Sequence, residues 1–321
     1  MPEMLLEIID LTKSFTMRSG FFSGGKLRNI ALDRISLSVF EGETLGLVGE
    51  SGCGKSTFAL TIMRLYEPDD GRIFFAGKDI TYLGEKALKP VRKQMQMVFQ
   101  DPFASLDSRL TVEQIIGEPL EIHNIGTKAE RVAEAARLLE RVGLSTEDMQ
   151  RFPGEFSGGQ QQRISIARAL ALRPKLLICD EPVSALDVSI QAQILNLLRD
   201  LQDEFGLSYL FISHNIAVTA FMSKRIGVMY LGRIVEIGDS TNIVNTPLHP
   251  YTQALVAAIP EPNPSKVNND FAVKGDIEEI AERPTGCVFR HRCPNAQEIC
   301  ASEEPQLRMI EKNQEVACHF A

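Results

Sequence analysis

One run of nine residues constrains this chain more than any other. Gly49-Glu50-Ser51-Gly52-Cys53-Gly54-Lys55-Ser56-Thr57 fits the pattern G-x-x-x-x-G-K-[ST]. An apolar run over 43–49 precedes it, and the pattern of 58–65 predicts a helix after it. Phosphate oxygens need many donors placed close together. Glycines let the backbone curl so that successive N–H groups point inward at the start of a helix. In such a loop Gly49, Ser51, Gly52, Cys53, Gly54 and Thr57 form the cradle. Lys55 reaches the β- and γ-phosphates of a nucleotide such as ATP, and the Ser56 hydroxyl binds Mg²⁺. A glycine-rich turn with a chance lysine would share the letters but not the flanking strand and helix.

A second motif fits the same chemistry. Leu176-Leu177-Ile178-Cys179-Asp180-Glu181 is an apolar strand ending in two carboxylates. Asp180 is suited to the Mg²⁺ shell, and Glu181 to polarising an attacking water. Two acids at a strand end are common in isolation; the upstream phosphate loop gives these a use. Near-continuous apolar runs at 5–11, 43–49, 176–180 and 207–213 read as strands covered on both faces. Thr127 with Glu130 forms a capping box, followed by Val132, Ala136, Leu139 and Val142 on one stripe and Gly143 as terminator. A helix from Ser189 carries Ile190, Ile194, Leu197, Leu198 and Leu201, and Gly206 closes it. A hairpin turns near Gly232. Strands alternating with helices predict an α/β core with a mainly parallel sheet.

The net charge of −8 argues against a broad nucleic-acid footprint. No apolar run reaches the roughly eighteen residues that span a bilayer, and the N-terminus lacks a secretory pattern. The chain is therefore expected in the cytoplasm, with any membrane link through a partner.

Phe156-Ser157-Gly158-Gly159-Gln160 opens a further helix. Ser157 is an N-cap with Gln160 at N3, and the glycines expose N–H groups at a positive helix end. The run lies between the phosphate loop and Asp180-Glu181, and it resembles the signature motif of ABC ATPases. Other elements of that family follow in its order. Gln100 in Val98-Phe99-Gln100-Asp101-Pro102 resembles the Q-loop, which senses Mg²⁺ and abuts membrane subunits. Ser184-Ala185-Leu186-Asp187 resembles the D-loop, and His214 in Phe211-Ile212-Ser213-His214 resembles the switch histidine at the γ-phosphate. Phe15 matches the aromatic that stacks on adenine, with Phe21 or Phe22 as alternatives. Asn215 departs from the family's usual Asp.

This resemblance implies a P-loop ABC ATPase fold: a RecA-like core, an antiparallel β subdomain and a helical subdomain at about 101–165, together spanning 1–240. It also implies a small irregular Cys-rich extension over 241–321. His249-Pro250-Tyr251-Thr252 and Pro284-Thr285-Gly286-Cys287 through Cys293-Pro294 resemble the extension of oligopeptide and dipeptide importers. Glu41-Gly-Glu-Thr-Leu-Gly and Asp101-Pro-Phe-Ala-Ser-Leu-Asp resemble one of the two paired ATPase subunits of that branch, often labelled F. The implied partners are a second, homologous ATPase subunit, two membrane permeases and, indirectly, an extracytoplasmic substrate-binding protein. The implied place is the cytoplasmic face of the membrane. The same branch handles nickel, glutathione and sugars. A soluble ABC ATPase and a non-hydrolysing subunit are competing readings; intact Glu181 and His214 argue against the latter.

Four of the six cysteines crowd the end of the chain with spacing C-x5-C-x6-C-x17-C: Cys287, Cys293, Cys300 and Cys318. In a reducing compartment such a cluster favours metal over disulfides. Four thiolates hold either zinc or a [4Fe–4S] cluster, and spacing alone does not choose. Proteins resembling this tail are associated with a [4Fe–4S] cluster, with Zn²⁺ the alternative. Cys53 and Cys179 read as small packing residues.

Overall fold

The computed structural model describes residues 3–18, 26–259, 284–311 and 313–321. Phe21, Phe22 and the proline-rich stretch at 260–264 lie outside these described residues. The chain opens with strands β1 (Met4–Arg18), β2 (Lys26–Phe40) and β3 (Thr44–Val48), then helix α1 (Lys55–Ile62). Strands β4 (Asp70–Phe75) and β5 (Lys78–Asp79), helix α2 (Glu85–Gln94) and β6 (Met95–Val98) come next. A helical stretch follows: α3 (Pro102–Ser105), α4 (Val112–Ile122), α5 (Lys128–Arg141) and α6 (Gly158–Leu170). Strand β7 (Leu176–Asp180), α7 (Val188–Phe205), β8 (Ser208–Ser213) and α8 (Ile216–Met222) alternate after it. The remainder comprises β9 (Arg225–Tyr230), β10 (Arg233–Asp239), α9 (Ser240–Asn245), α10 (Pro250–Ala257), α11 (Ile299–Ser302), β11 (Arg308–Glu311) and β12 (Gln314–Val316).

These elements gather into two compact units. One consists of Leu83–Ile212 with the short pieces Met1–Leu5 and Val39–Glu43. Within it β6, β7 and β8 run parallel, with Met95 opposite Leu176 and Leu176 opposite Ser208. All five residues of β7 are buried, as expected for a strand covered on both faces. The α5 capping box forms as its sequence predicts: Thr127 accepts from the Glu130 N–H and Glu130 from the Thr127 N–H. Its buried face is Ala135, Leu138 and Leu139. Val132 and Ala136, placed on the stripe by periodicity, are only half-buried. α7 starts at Val188 on an Asp187 N-cap and ends on Gly206 at φ 64°. It buries Ile194, Leu195, Leu198 and Leu201, while Ile190 and Leu197 stay half-buried.

The other unit consists of Leu6–Ser38, Thr44–Tyr82 and Ser213–Ala321. It contains a sheet in the order β2-β1-β4-β5, in which β4 pairs antiparallel with both β1 and β5. In a second group of strands β3 lies parallel to β9, and β9, β10, β12 and β11 continue antiparallel, so the strand arrangement is mixed. The turn between β9 and β10 places Leu231 at φ 45° and Gly232 at φ 75°, a conformation whose twist suits a tight hairpin. The tail builds into this unit. Phe289, Tyr251 and Val316 are at most 1% exposed. Phe289 and Tyr251 share a core with Val48, Ile226, Val228 and Tyr230.

Candidate functional site

The phosphate loop leaves β3 at Gly49 and enters α1 at Lys55, three residues before the predicted start. Two close backbone approaches and one hydrogen bond mark its path. A Cβ on Gly49 would stand 2.2 Å from the Met229 carbonyl oxygen, and one on Gly54 would stand 2.4 Å from that of Ala31. Gly54 has φ 108°, a region that L side chains rarely adopt. The Gly232 N–H donates to the Cys53 carbonyl at 2.8 Å, tying the β9–β10 turn to the loop. Lys55 is buried, and its Nζ lies 2.8 Å from the Gly49 carbonyl and 3.0 Å from that of Glu50. An ammonium held over the loop's own carbonyls stands where a phosphate would draw it. Ser51, Gly52 and Ser56 are exposed, with Ser56 in the first turn of α1; Thr57 is half-buried. An exposed hydroxyl at that turn has the chemistry of a Mg²⁺ ligand. Cys53 is buried, and burial pushes its thiol up to about 11 against the pull of Lys55, so it packs as an inert thiol.

The tail reaches this loop. The Glu50 N–H donates to the Tyr251 hydroxyl at 2.8 Å. The Arg292 guanidinium donates to both Glu50 carboxylate oxygens at 2.8 and 3.1 Å. Burial alone would lower the Arg292 pKa, but the hydrogen bonds to Glu50 and Tyr230 raise it instead. The Tyr251 ring packs 4.8 Å from Tyr230 and 5.5 Å from Phe289, centroid to centroid. In the sequence Glu50 falls on an unspecified position of the motif, and Tyr251 and Arg292 fall within runs that carry only the resemblance. A pairing across some 240 residues leaves no local pattern to find.

Phe15 on β1 meets Tyr66 edge-on at 5.3 Å, with the Lys13 ammonium 5.4 Å from its ring. Tyr66, unnoticed in the sequence, thus adds a second aromatic beside it. His214 is exposed just after β8. Asn215 caps α8 by accepting the Ala217 and Val218 N–H groups, a task that Asn and Asp perform about equally.

In the other unit Asp180 ends β7 and is 5% exposed. Glu181 follows at φ 47°, outside the usual range for a residue with a Cβ. Its N–H donates to the Ile212 carbonyl at 2.9 Å, and its Oε2 accepts from Gln100 Nε2 at 3.3 Å. Left-handed backbone on a non-glycine residue costs about 1–2 kcal/mol, the kind of strain that collects at working sites. Ser157 and Gln160 form the expected reciprocal box at the start of α6, at 2.9 and 3.4 Å, with Gly158 exposed and Gly159 half-buried. Asp187 is exposed.

Cys287, Cys293, Cys300 and Cys318 all line one cavity of about 120 Å³. Burial pushes the Cys287 thiol up to about 11, with further upward pushes from Cys300, Cys293 and Cys318. Burial raises Cys293 as well. Yet among the described residues no set of three or more His, Cys, Asp or Glu is arranged to hold a metal ion. The expected metal centre is therefore not supported as a ligand set; the thiols are gathered without being converged.

The model of the ABC transporter family matches residues 32–184. The model of the oligopeptide/dipeptide transporter C-terminal region matches 235–300. The chain is 51% identical to the oligopeptide transport ATP-binding protein AppF of Bacillus subtilis, covering 99% of this chain and 98% of that one. It is 48% identical to a putative peptide import ATP-binding protein of Brucella ovis, covering 98% and 97%. Among solved structures it resembles the ATP-binding cassette MJ0796, a dimer bound to ADP and Pi, with TM-score 0.66 and 29% identity over 74% of this chain and 99% of that one. CbiO1 of Clostridium perfringens, part of the transporter complex CbiONQ, matches with TM-score 0.64 and 27% identity over 75% and 90%.

Proposed function

The chain belongs to the ABC transporter family of ATP-hydrolysing subunits, and from that membership we propose that it powers import of oligopeptides or dipeptides. In this reading Lys55 holds the β- and γ-phosphates of ATP. Ser56, Asp180 and Gln100 serve Mg²⁺. Glu181 polarises the attacking water, and His214 contacts the γ-phosphate. Phe15 stacks on adenine. Ser157, Gly158, Gly159, Gln160 and Asp187 act across a dimer with a second, homologous ATPase subunit. The pair drives two permeases from the cytoplasmic face of the membrane, and an extracytoplasmic binding protein supplies the substrate. Residues 1–240 form the nucleotide-binding domain, with its helical subdomain at about 101–165, and 241–321 the extension. No helix among the described residues is long and apolar enough to cross a membrane, which suits a peripheral subunit.

The observation that carries this reading is the strained backbone at Glu181, whose carboxylate is held by Gln100. A site that keeps a carboxylate against its backbone preference has a use for its direction. Glu181→Gln is expected to keep ATP binding and to lower turnover in the assembled transporter by about 100-fold or more. Wild-type turnover would remove Glu181 from the base role. For the cysteine cavity we propose a metal centre that binding itself converges. The shared cavity speaks for it, and the lack of a ligand set speaks against it. Anaerobic metal analysis decides: about four irons per chain supports a [4Fe–4S] cluster, one zinc the alternative, and neither metal removes both.

A further inference from the structure

Every polar group of Glu50 is occupied, and two of its four partner residues come from far along the chain. Its N–H donates to the Tyr251 hydroxyl. Its carbonyl accepts from Lys55 Nζ at 3.0 Å and from the Cys53 N–H at 3.3 Å. Its carboxylate takes both arms of the Arg292 guanidinium. A bidentate pair fixes direction as well as distance. The Arg292 side chain is 11% exposed, and its guanidinium lies 5.8 Å from the centre of the Tyr230 ring. Tyr251 is fully buried and wedged against Tyr230 and Phe289. The two distant partners of Glu50 are thus both packed in place, and Glu50 is the second residue of the loop whose curl aims donors at phosphate.

Resting on the reading of Gly49–Thr57 as an ATP phosphate loop, we propose that Arg292 and Tyr251 are positioning residues for that loop. From the tail, they clamp Glu50 and hold the loop's first turn in the shape that receives phosphate. The extension then contributes to nucleotide binding without touching the nucleotide. A loop released from its clamp must be ordered by ATP itself, and that ordering weakens binding.

The test measures equilibrium binding of ATP with Mg²⁺ to the full-length chain. Arg292→Ala and Glu50→Ala should each weaken binding about tenfold, the scale of one charged hydrogen-bonded pair. The double variant should be no weaker than either single one, because both remove the same clamp. Tyr251→Phe, which keeps the ring and loses only the hydroxyl, should weaken binding by a smaller factor. Arg292→Lys should recover part of the loss of Arg292→Ala. Lys55→Ala serves as the reference. If it weakens binding while Arg292→Ala and Glu50→Ala bind as wild type, the clamp is refuted and the ATP site stands. If Lys55→Ala leaves binding unchanged, the ATP-site reading itself fails. Additive losses in the double variant overturn the clamp too. So does an Arg292→Ala chain that melts earlier yet binds ATP normally while folded, since that is the mark of a merely structural tail.

Discussion

Helices α1 and α6 both begin on glycines beside a predicted anion site, yet they start in opposite ways. α1 has Gly54 as its N-cap, in a left-handed conformation and with no side-chain cap. α6 has Ser157, whose hydroxyl accepts the Gln160 N–H while Gln160 accepts the Ser157 N–H. The first start leaves its donors to backbone and ligand. The second satisfies two of its donors from its own side chains before any ligand arrives. A helix end needs its N–H groups answered either way. The difference teaches that a glycine-rich helix start is an anion site only to the degree that its own side chains decline the donors.

Three substitutions sharpen or break this contrast. The largest effect is expected at Gly54, where Ala would combine a φ of 108° with a Cβ 2.4 Å from the Ala31 carbonyl. Gly54→Ala should destabilise the fold by about 3 kcal/mol or more, read by chemical denaturation, and abolish ATP binding. An unchanged midpoint would mean that the loop's backbone is less constrained than its contacts imply. Ser157→Ala should cost about 1 kcal/mol of stability through the lost cap and leave ATP binding by the isolated chain intact. Weakened binding in the isolated chain would show that the two helix starts are not independent. The smallest effect belongs to Gly158, whose added Cβ would meet only a Leu186 methyl at an ordinary 3.6 Å. Gly158→Ala should stabilise the chain by about 0.5 kcal/mol by stiffening the unfolded state, visible as a slightly higher melting temperature. A loss there would reveal a conformational demand at α6 like that at α1.

The contrast was only half legible in the sequence. Local signals read well: the capping boxes at Thr127 and Ser157, the buried strands β3, β7 and β8, and the turn at Gly232 depend on residues within a few positions of one another. The early start of α1 did not read, and neither did the close approach of the Ala31 carbonyl, on β2, that leaves no room for a Cβ at Gly54. Periodicity named Ile190 and Leu197 for the buried face of α7 where Leu195 is buried instead, since a 3.6-residue repeat fixes a stripe only to within a neighbouring position. The tail read as a small, irregular, Cys-rich extension, and part of its anchorage is polar. Gln314 and Glu236 are both fully buried and hydrogen-bonded at 2.7 Å, and Glu236 also accepts the Leu248 and His249 N–H groups. Hydrophobic pattern is blind to such pairs. The same blindness hid Glu50 and Arg292, while the motif residues around them stood out by type and spacing alone.

The bond from Gly232 to the Cys53 carbonyl also carries a consequence in time. A ribosome making about 5–20 residues per second emits Cys53 and then needs about ten to forty seconds to supply Gly232. Parallel pairing makes the same demand, because β3 takes β9 as its neighbour, Leu45 opposite Arg225. The nascent phosphate loop therefore waits, unfinished, through most of the chain's synthesis. A growing chain that stalls before the β9–β10 hairpin would carry the whole phosphate motif and still lack its nucleotide-ready shape.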